Sequence, residues 1–287
     1  MKTTFSGNAQ RKLGAILAGG AAMLLMSSFA MAAITGSRHD LSTTGAFNQF
    51  TPTAGNSEIC VFCHTPHGSS TDAPVPLWNR TLHTTTPYLT YAALGTSSLD
   101  AATAPVGSVS LACLSCHDGT QAMNEIINSP GSGTGTGTWA GTFTAGSAAG
   151  AANTLAYGTI VNLTTDLRND HPVGVQYGGG RGTSGFVSGT NYAAGSTTDT
   201  DFKAITAVTG KALWYIDTNG TAGRQNVDLP LYTRADTLDY LGVAIPGGAN
   251  QPYVECASCH DPHNTANGTF LRYSNANSTL CLACHAK

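Results

Sequence analysis

Apolar residues along this chain occur mostly in short patches, separated by polar stretches rich in Gly, Ser, Thr, Ala and Asn. Two patches, 211–216 and 227–232, are rich in large apolar side chains and flank the turn sequence Asp217–Gly220. This pattern predicts a small β-hairpin. The shorter patches 157–161 and 204–208 predict weak strands or extended loops. We therefore expect a mostly irregular fold with short helices and a few short strands.

A long apolar stretch lies near the start of the chain. Leu13–Met26 follows three basic residues and precedes the small-residue sequence Ala30–Ala32. This order is typical of an export signal, so residues 1–32 are predicted to be a signal peptide. A retained membrane anchor is the alternative, but the cleavage-like sequence favours removal. No later stretch is apolar enough to span a bilayer, so we expect no transmembrane segment after cleavage.

The chain has 13 basic and 16 acidic residues, and charged residues make up only 10% of it. Residues 1–32 hold three of the basic residues and none of the acidic ones, so the mature chain has a net charge near −6. This balance disfavours nucleic acid as a partner. So few charges give weak repulsion between copies, which favours a protein that packs against itself or against a surface.

All eight cysteines fall in four copies of the sequence Cys-x-x-Cys-His, at 60–64, 113–117, 256–260 and 281–285. This is the attachment sequence of c-type haem. The two cysteines add across the two vinyl groups of a haem, and the histidine then lies under the iron as its proximal ligand. The predicted haem-attaching residues are Cys60, Cys63, Cys113, Cys116, Cys256, Cys259, Cys281 and Cys284, and the predicted proximal ligands are His64, His117, His260 and His285.

Zinc sites, redox dithiols and disulfide scaffolds also use closely spaced cysteines. A zinc site does not require a histidine directly after the second cysteine, and a redox dithiol usually occurs once, near a βαβ pattern that this sequence lacks. A disulfide scaffold gives no reason for four trailing histidines. Four complete motifs therefore favour four covalently attached haem c groups.

Five of the nine histidines lie outside the motifs: His39, His67, His83, His171 and His263. Iron held by two histidines needs a distal ligand, so four haems need four of these five. His67 and His263 each follow a proximal histidine by three residues, in the repeated sequence C-x-x-C-H-x-P-H. They lie too close to reach the opposite face of the same haem. We predict that His67 binds the iron at Cys113 and that His263 binds the iron at Cys281.

His171 is a further predicted distal ligand. It follows Asp170, whose carboxylate can accept a hydrogen bond from the ring nitrogen that does not bind iron and so fix the tautomer. His39 lies in a polar N-terminal segment, where it is also a candidate for a distal position.

The motif spacing divides the mature chain into three predicted parts. Residues 33–130 hold the first pair of motifs, residues 131–250 form a Gly-, Ser- and Thr-rich insert that contains His171, and residues 251–287 hold the second pair. Long apolar runs are scarce in all three parts. The haems themselves are therefore predicted to form the core, and the chain is not expected to fold without them.

Five segments of this sequence resemble a known family: 36–42, 60–67, 76–80, 169–174 and 256–263. They are similar to multihaem cytochromes with doubled Cys-x-x-Cys-His motifs, and most of all to the tetrahaem outer-surface cytochromes of metal-reducing bacteria of the OmcE type. The resemblance covers the haem motifs across most of the mature chain and is vague in the insert.

The resemblance also implies a set of ligands and an assembly. Distal ligation is implied for His39, His67, His171 and His263. The family forms filaments in which the haems make a continuous chain, and one iron of each subunit takes a histidine from its neighbour. His39 is the candidate donor for that contact. His83 matches no ligand of the family and is predicted to be a polar loop residue.

Electron transfer is the function we expect, because iron held by two histidines has no open position for a substrate. As a homopolymeric filament, the protein would carry electrons from other redox proteins to extracellular acceptors; a soluble periplasmic shuttle is the alternative. A multihaem reductase would need one open iron, and five distal candidates for four irons argue against it. We therefore expect no enzymatic activity and a location outside the cell or on its outer surface, with the periplasm as the alternative.

Overall fold

The computed structural model describes residues 34–42, 45, 50–51, 58–83, 86–95, 99, 101–130, 136–138, 141–144, 148–170, 173–179, 199, 201–240, 242–245 and 251–286. All of them belong to one unit, 34–287. The predicted signal peptide and His171 lie outside the described residues. In the described part of the chain, no helix has the length and hydropathy needed to cross a membrane.

The regular elements are short. The helices are α1 (Ser108–His117), α2 (Cys256–Cys259) and α3 (Thr279–Cys284). The strands are β1 (Phe50–Thr51), β2 (Glu125–Asn128), β3 (Thr136–Thr138), β4 (Thr142–Phe143), β5 (Val175–Gln176), β6 (Thr206–Ala207), β7 (Leu213–Ile216), β8 (Leu229–Thr233) and β9 (Pro252–Val254). Single 3₁₀ turns occur at Cys60–Phe62, Tyr91–Leu94, Ala151–Asn153, Tyr177–Gly179, Gly268–Phe270 and Ala276–Ser278.

The largest sheet in the described part has five antiparallel strands in the order β5-β9-β8-β7-β6. Its centre is the predicted hairpin, which is confirmed: β7 pairs with β8 from Leu213 opposite Tyr232 to Ile216 opposite Leu229. The carboxylate of Asp217 accepts hydrogen bonds from the backbone N–H groups of two following turn residues, at 3.0 and 2.7 Å. This local bonding explains why the turn was predictable.

The segment 157–161 forms a turn and not a strand. Thr159 donates its backbone N–H and its hydroxyl to the carbonyl of Ala156, at 3.4 and 2.7 Å. The side chains of Tyr157 and Ile160 are 88% and 96% exposed. Local hydrogen bonds to a threonine thus outweigh the β-propensity of the neighbouring residues.

The buried apolar side chains form small separate clusters, and three of them border a Cys-x-x-Cys-His motif. One lies against α1 and includes Tyr88, Leu82 and Leu167. A second joins the five-stranded sheet to α3. A third is built on Phe50, whose ring lies 5.3 Å from the ring of Phe62. The short helices and sheet agree with the expected mixture of elements. The predicted haem core and the predicted three-part division stay predictions.

Candidate haem-attachment sites

Each motif lies on a short helical turn. In three of them the histidine N–H donates to the carbonyl of the first cysteine: His64 to Cys60 at 2.8 Å, His260 to Cys256 at 3.0 Å, and His285 to Cys281 at 3.0 Å. The fourth motif is the last part of α1. A helical turn brings residues i, i+3 and i+4 to one face, so both thiols and the imidazole share a side. All eight thiols are free of disulfides.

Three of the four proximal imidazoles are oriented by a backbone carbonyl from a distant segment. The Nδ1 atoms lie within hydrogen-bond distance of carbonyl oxygens as follows: His64 of Pro76 at 2.7 Å, His117 of Val161 at 2.8 Å, and His260 of Thr269 at 2.8 Å. With a proton on Nδ1 donated to the carbonyl, Nε2 keeps its lone pair for a metal. Sequence reasoning missed these carbonyls, because a backbone acceptor has no side-chain signature.

These residues fit covalent c-type haem. The thiols are free, three of the four proximal imidazoles have Nδ1 held and Nε2 available, and the buried Nδ1 of His39 has no hydrogen-bond partner. Within the described ranges, no group of three or more His, Cys, Asp or Glu side chains is arranged to hold a bare metal ion.

Residues 250–287 match the doubled CXXCH motif family. The matched segment covers both C-terminal motifs and is well under half of the chain. No curated protein matches the chain. The doubled CXXCH motif indicates covalently bound c-type haem and makes this chain multihaem cytochrome-like, with a role in electron transfer.

The first CXXCH motif lies against the second. Cys63 and Cys116 pack against the same apolar cluster. Burial and, to a smaller extent, the nearby Cys116 thiol together raise the pKa of the Cys63 thiol to about 12. Two haems attached at these cysteines would therefore be neighbours.

The second CXXCH motif contacts the third across a separation of more than 140 residues. Ser110 on α1 donates its hydroxyl to the buried carboxylate of Glu255 and accepts the backbone N–H of Cys256 at 3.0 Å. The Cys113 thiol hydrogen-bonds to the Cys256 sulfur, which raises the pKa of Cys113 and lowers that of Cys256.

The third motif also lies near the fourth. Burial raises the pKa of Cys259 to about 11, with Cys256 and Cys281 close enough to add to the shift.

A buried cation lies beside the first two haem sites. Arg80 is 1% exposed and donates to three backbone carbonyls, those of Ser115 at 3.0 Å, Ala122 at 2.7 Å and Met123 at 3.0 Å. The same guanidinium lies close enough to Cys63 to lower the pKa of its thiol, against the larger effect of burial. All three of these partners are neutral, so its charge is solvated by carbonyl dipoles.

A buried carboxylate lies between the second and third haem sites. Glu255 is 1% exposed and pairs with Arg234 at 3.1 Å, and Arg234 also binds Asp236 at 2.8 Å. Burial raises the pKa of Glu255 to about 7, against the opposing effects of Arg234 and Ser110. One cation therefore serves two carboxylates. A Cβ at Gly107 would overlap the Arg234 guanidinium, so a side chain at this position would displace Arg234 from its partners.

The distal candidates occupy positions that differ from the predicted pairing. The ring of His263 lies 6.1 Å from the ring of His64, in the first motif. The ring of His39 lies 6.2 Å from the ring of His117, in the second motif. His67, predicted for that second position, is exposed. The prediction assumed pairing inside each half of the chain, whereas the contact between α1 and α2 brings the two halves together.

The surroundings of His83 and His285 say less about iron ligation. His83 is exposed, and its Nδ1 lies 3.4 Å from the Thr120 hydroxyl, as for a polar loop residue. The ring of His285 lies 4.5 Å from the ring of Phe202, an aromatic neighbour that the sequence did not reveal. Burial and the neighbouring histidines lower the pKa of His39 to about 4, which keeps its imidazole neutral at physiological pH.

Proposed function

We propose that this protein is a tetrahaem c-type cytochrome that passes electrons between redox partners without catalysing a reaction of its own. The observation that carries the proposal is the common geometry of the motifs: free thiols on a helical turn, and three of four imidazoles held by a carbonyl with Nε2 available. Bound haem supplies an iron that alternates between Fe(III) and Fe(II). The chain attaches the haems, orients their ligands and sets the charge around them.

We further propose that the haems form a relay in the order of the motifs along the chain. The contacts that support this order are the shared cluster of Cys63 and Cys116, the Ser110 link between α1 and α2, and the proximity of Cys259 to Cys281. Neighbouring haems at each of these contacts would allow an electron to enter at one end of the series and leave at the other.

The finer proposal is a homopolymer at or outside the cell surface. A low content of charged residues and the almost fully exposed side chains of Tyr157 and Ile160 are consistent with a surface that another copy covers. The inter-subunit iron ligand expected at His39 is better assigned elsewhere, because His39 is half-buried beside His117 of its own chain. The exposed ring of His67 fits that role.

The number of haems per chain tests whether all four motifs carry haem, as the proposed relay requires. We expect the purified protein to contain four haems per chain, measured both by the intact mass and by the ratio of haem absorbance to protein. Replacing both cysteines of one motif by alanine should reduce the count by one. A wild-type protein with haem only at the C-terminal pair, at 256–260 and 281–285, would refute the tetrahaem relay.

Carbon monoxide separates a carrier from an enzyme, since it binds reduced haem that has an open iron position. We expect no binding by the assembled wild-type protein. Cryo-electron microscopy of material sheared from cells should show filaments with a continuous haem series. Discrete particles would contradict the polymer, and a wild-type iron that binds carbon monoxide in the assembled state would favour the reductase.

A further inference from the structure

The distance between the rings of His64 and His263 matches the distance expected for two imidazoles bound to one iron. Their centroids lie 6.1 Å apart and their planes differ by 16°. A metal–imidazole bond of about 2.0 Å, with the ring centre about 1.1 Å behind the nitrogen, puts the centres of two imidazoles on opposite sides of one iron roughly 6.2 Å apart. The Nδ1 of His64 is held by the Pro76 carbonyl, so Nε2 is the nitrogen left for iron.

The pair formed by His39 and His117 has the same separation. Their ring centroids lie 6.2 Å apart, with an interplanar angle of 72°. The Nδ1 of His117 is held by the Val161 carbonyl. The His39 ring donates one hydrogen bond to the Pro262 carbonyl, and its Nδ1 is buried without a hydrogen-bond partner. A buried imidazole nitrogen with no acceptor or donor costs free energy unless a further group satisfies it. Iron at His117 would be such a group.

The ring of His263 is also oriented by a side chain, through its Nδ1. The carboxylate of Asp261 lies 3.4 Å from the Nδ1 of His263, and Arg272 holds the same carboxylate at 3.0 Å. Arg272 is in turn fixed by the Ala257 carbonyl at 2.9 Å. A carboxylate on the outer nitrogen of a histidine orients the ring and strengthens it as a metal ligand. This arrangement leaves the Nε2 of His263 available for iron.

We propose that His263 is the second axial ligand of the iron at His64, and that His39 is the second axial ligand of the iron at His117. This pairing rests on the proposed haem occupancy of the motifs. It means that each haem of the first half is completed by a histidine from a segment outside its motif, one from the N-terminal segment 34–42 and one that lies three residues after the third motif. The irons would then clamp these segments to the first half of the chain.

Ligand-deletion variants test each assignment. We expect His263→Gly and His39→Gly each to leave one of the four irons five-coordinate. The measurements are the high-spin ferric signal in electron paramagnetic resonance and the carbon monoxide bound per reduced chain. Added imidazole should restore the low-spin spectrum in both variants. His83→Gly is the matched control, since His83 is exposed outside the pairs, and it should stay fully low-spin.

A cryo-electron microscopy or crystal structure of the wild-type holoprotein identifies the iron that each histidine binds, even if a variant fails to fold. His263 opposite His64 and His39 opposite His117 would support the pairing. Haem at both motifs with any other distal ligand would overturn it while leaving the proposed function intact. Intact mass reports occupancy separately, so a missing haem at 60–64 or 113–117 would refute the proposed function itself.

Discussion

Two contacts between neighbouring CXXCH motifs bury ionisable groups of opposite sign. Beside the first and second motifs, Arg80 donates only to carbonyl oxygens. Beside the third motif, Glu255 shares Arg234 with Asp236. A buried cation stabilises the reduced, more electron-rich form of a nearby haem, and a buried carboxylate opposes it. We infer that Arg80 raises the reduction potential of a haem held at the first or second motif, and that pH acts mainly at the second and third motifs.

The largest expected effect comes from removing the buried cation. Arg80→Met should lower the free energy of unfolding by on the order of 3 kcal/mol, because three buried carbonyls lose a hydrogen-bond donor. It should also lower the potentials of the first-half haems and leave the others unchanged. Urea unfolding and spectropotentiometry measure the two effects. A uniform shift of all the haem reduction potentials would show that Arg80 does not act on the nearby haems alone.

A surface arginine provides the control for that substitution. Arg168 pairs with Asp166 at 2.6 Å, and its side chain is 39% exposed. Exposed pairs of this kind contribute little to stability, so Arg168→Met should leave the free energy of unfolding nearly unchanged. Comparable losses from the two arginines would mean that Arg80 has no special role.

The next effect is a pH dependence of stability from Glu255. Its folded pKa of about 7 lies above the ordinary glutamate value of 4.5, so the folded protein holds the proton more tightly than the unfolded chain does. Stability from this group is fully present below pH 4.5 and is lost as the pH rises through 7, by at most about 3 kcal/mol. Arg234, Asp236 and Tyr253 are ionisable groups close to it.

Urea unfolding at pH 4.5, 5.5 and 7 measures this slope. Glu255→Gln should flatten it, since the amide keeps a hydrogen-bond acceptor and cannot ionise. The exposed Glu125 is the matched position, and Glu125→Gln should leave the slope as in the wild type. An unchanged slope in the Glu255 variant would place the titrating group elsewhere.

The smallest effect is expected at the glycine that Arg234 requires. Gly107→Ala puts a Cβ 2.4 Å from the guanidinium and should displace it from Glu255, with a loss of about 1–2 kcal/mol. Gly268 has open space around its Cβ position, so Gly268→Ala should be neutral or slightly stabilising. Equal melting temperatures for the two variants would show that Arg234 moves aside freely.

Parts of this fold could be predicted because the decisive interactions are local. The β7–β8 hairpin follows from apolar patches around a turn whose hydrogen bonds are made by Asp217 itself. The position of each cysteine pair and its histidine likewise depends on five consecutive residues. The structure of segment 157–161 was harder to predict. A hydrogen bond from Thr159 to the Ala156 carbonyl stabilises a turn there, although the neighbouring residues favour a strand.

The sequence by itself determined the number and spacing of the CXXCH motifs and the set of histidines from which distal ligands are drawn. Only the tertiary structure decided which histidine lies opposite which motif, which carbonyl holds each imidazole, and which charges are buried beside them. The physical reason is the contact of Ser110 with Glu255 and Cys256, groups about 145 residues apart. That contact brings the two halves together, so His263 meets His64. No local pattern encodes such a meeting, because it depends on the packing of α1 against α2.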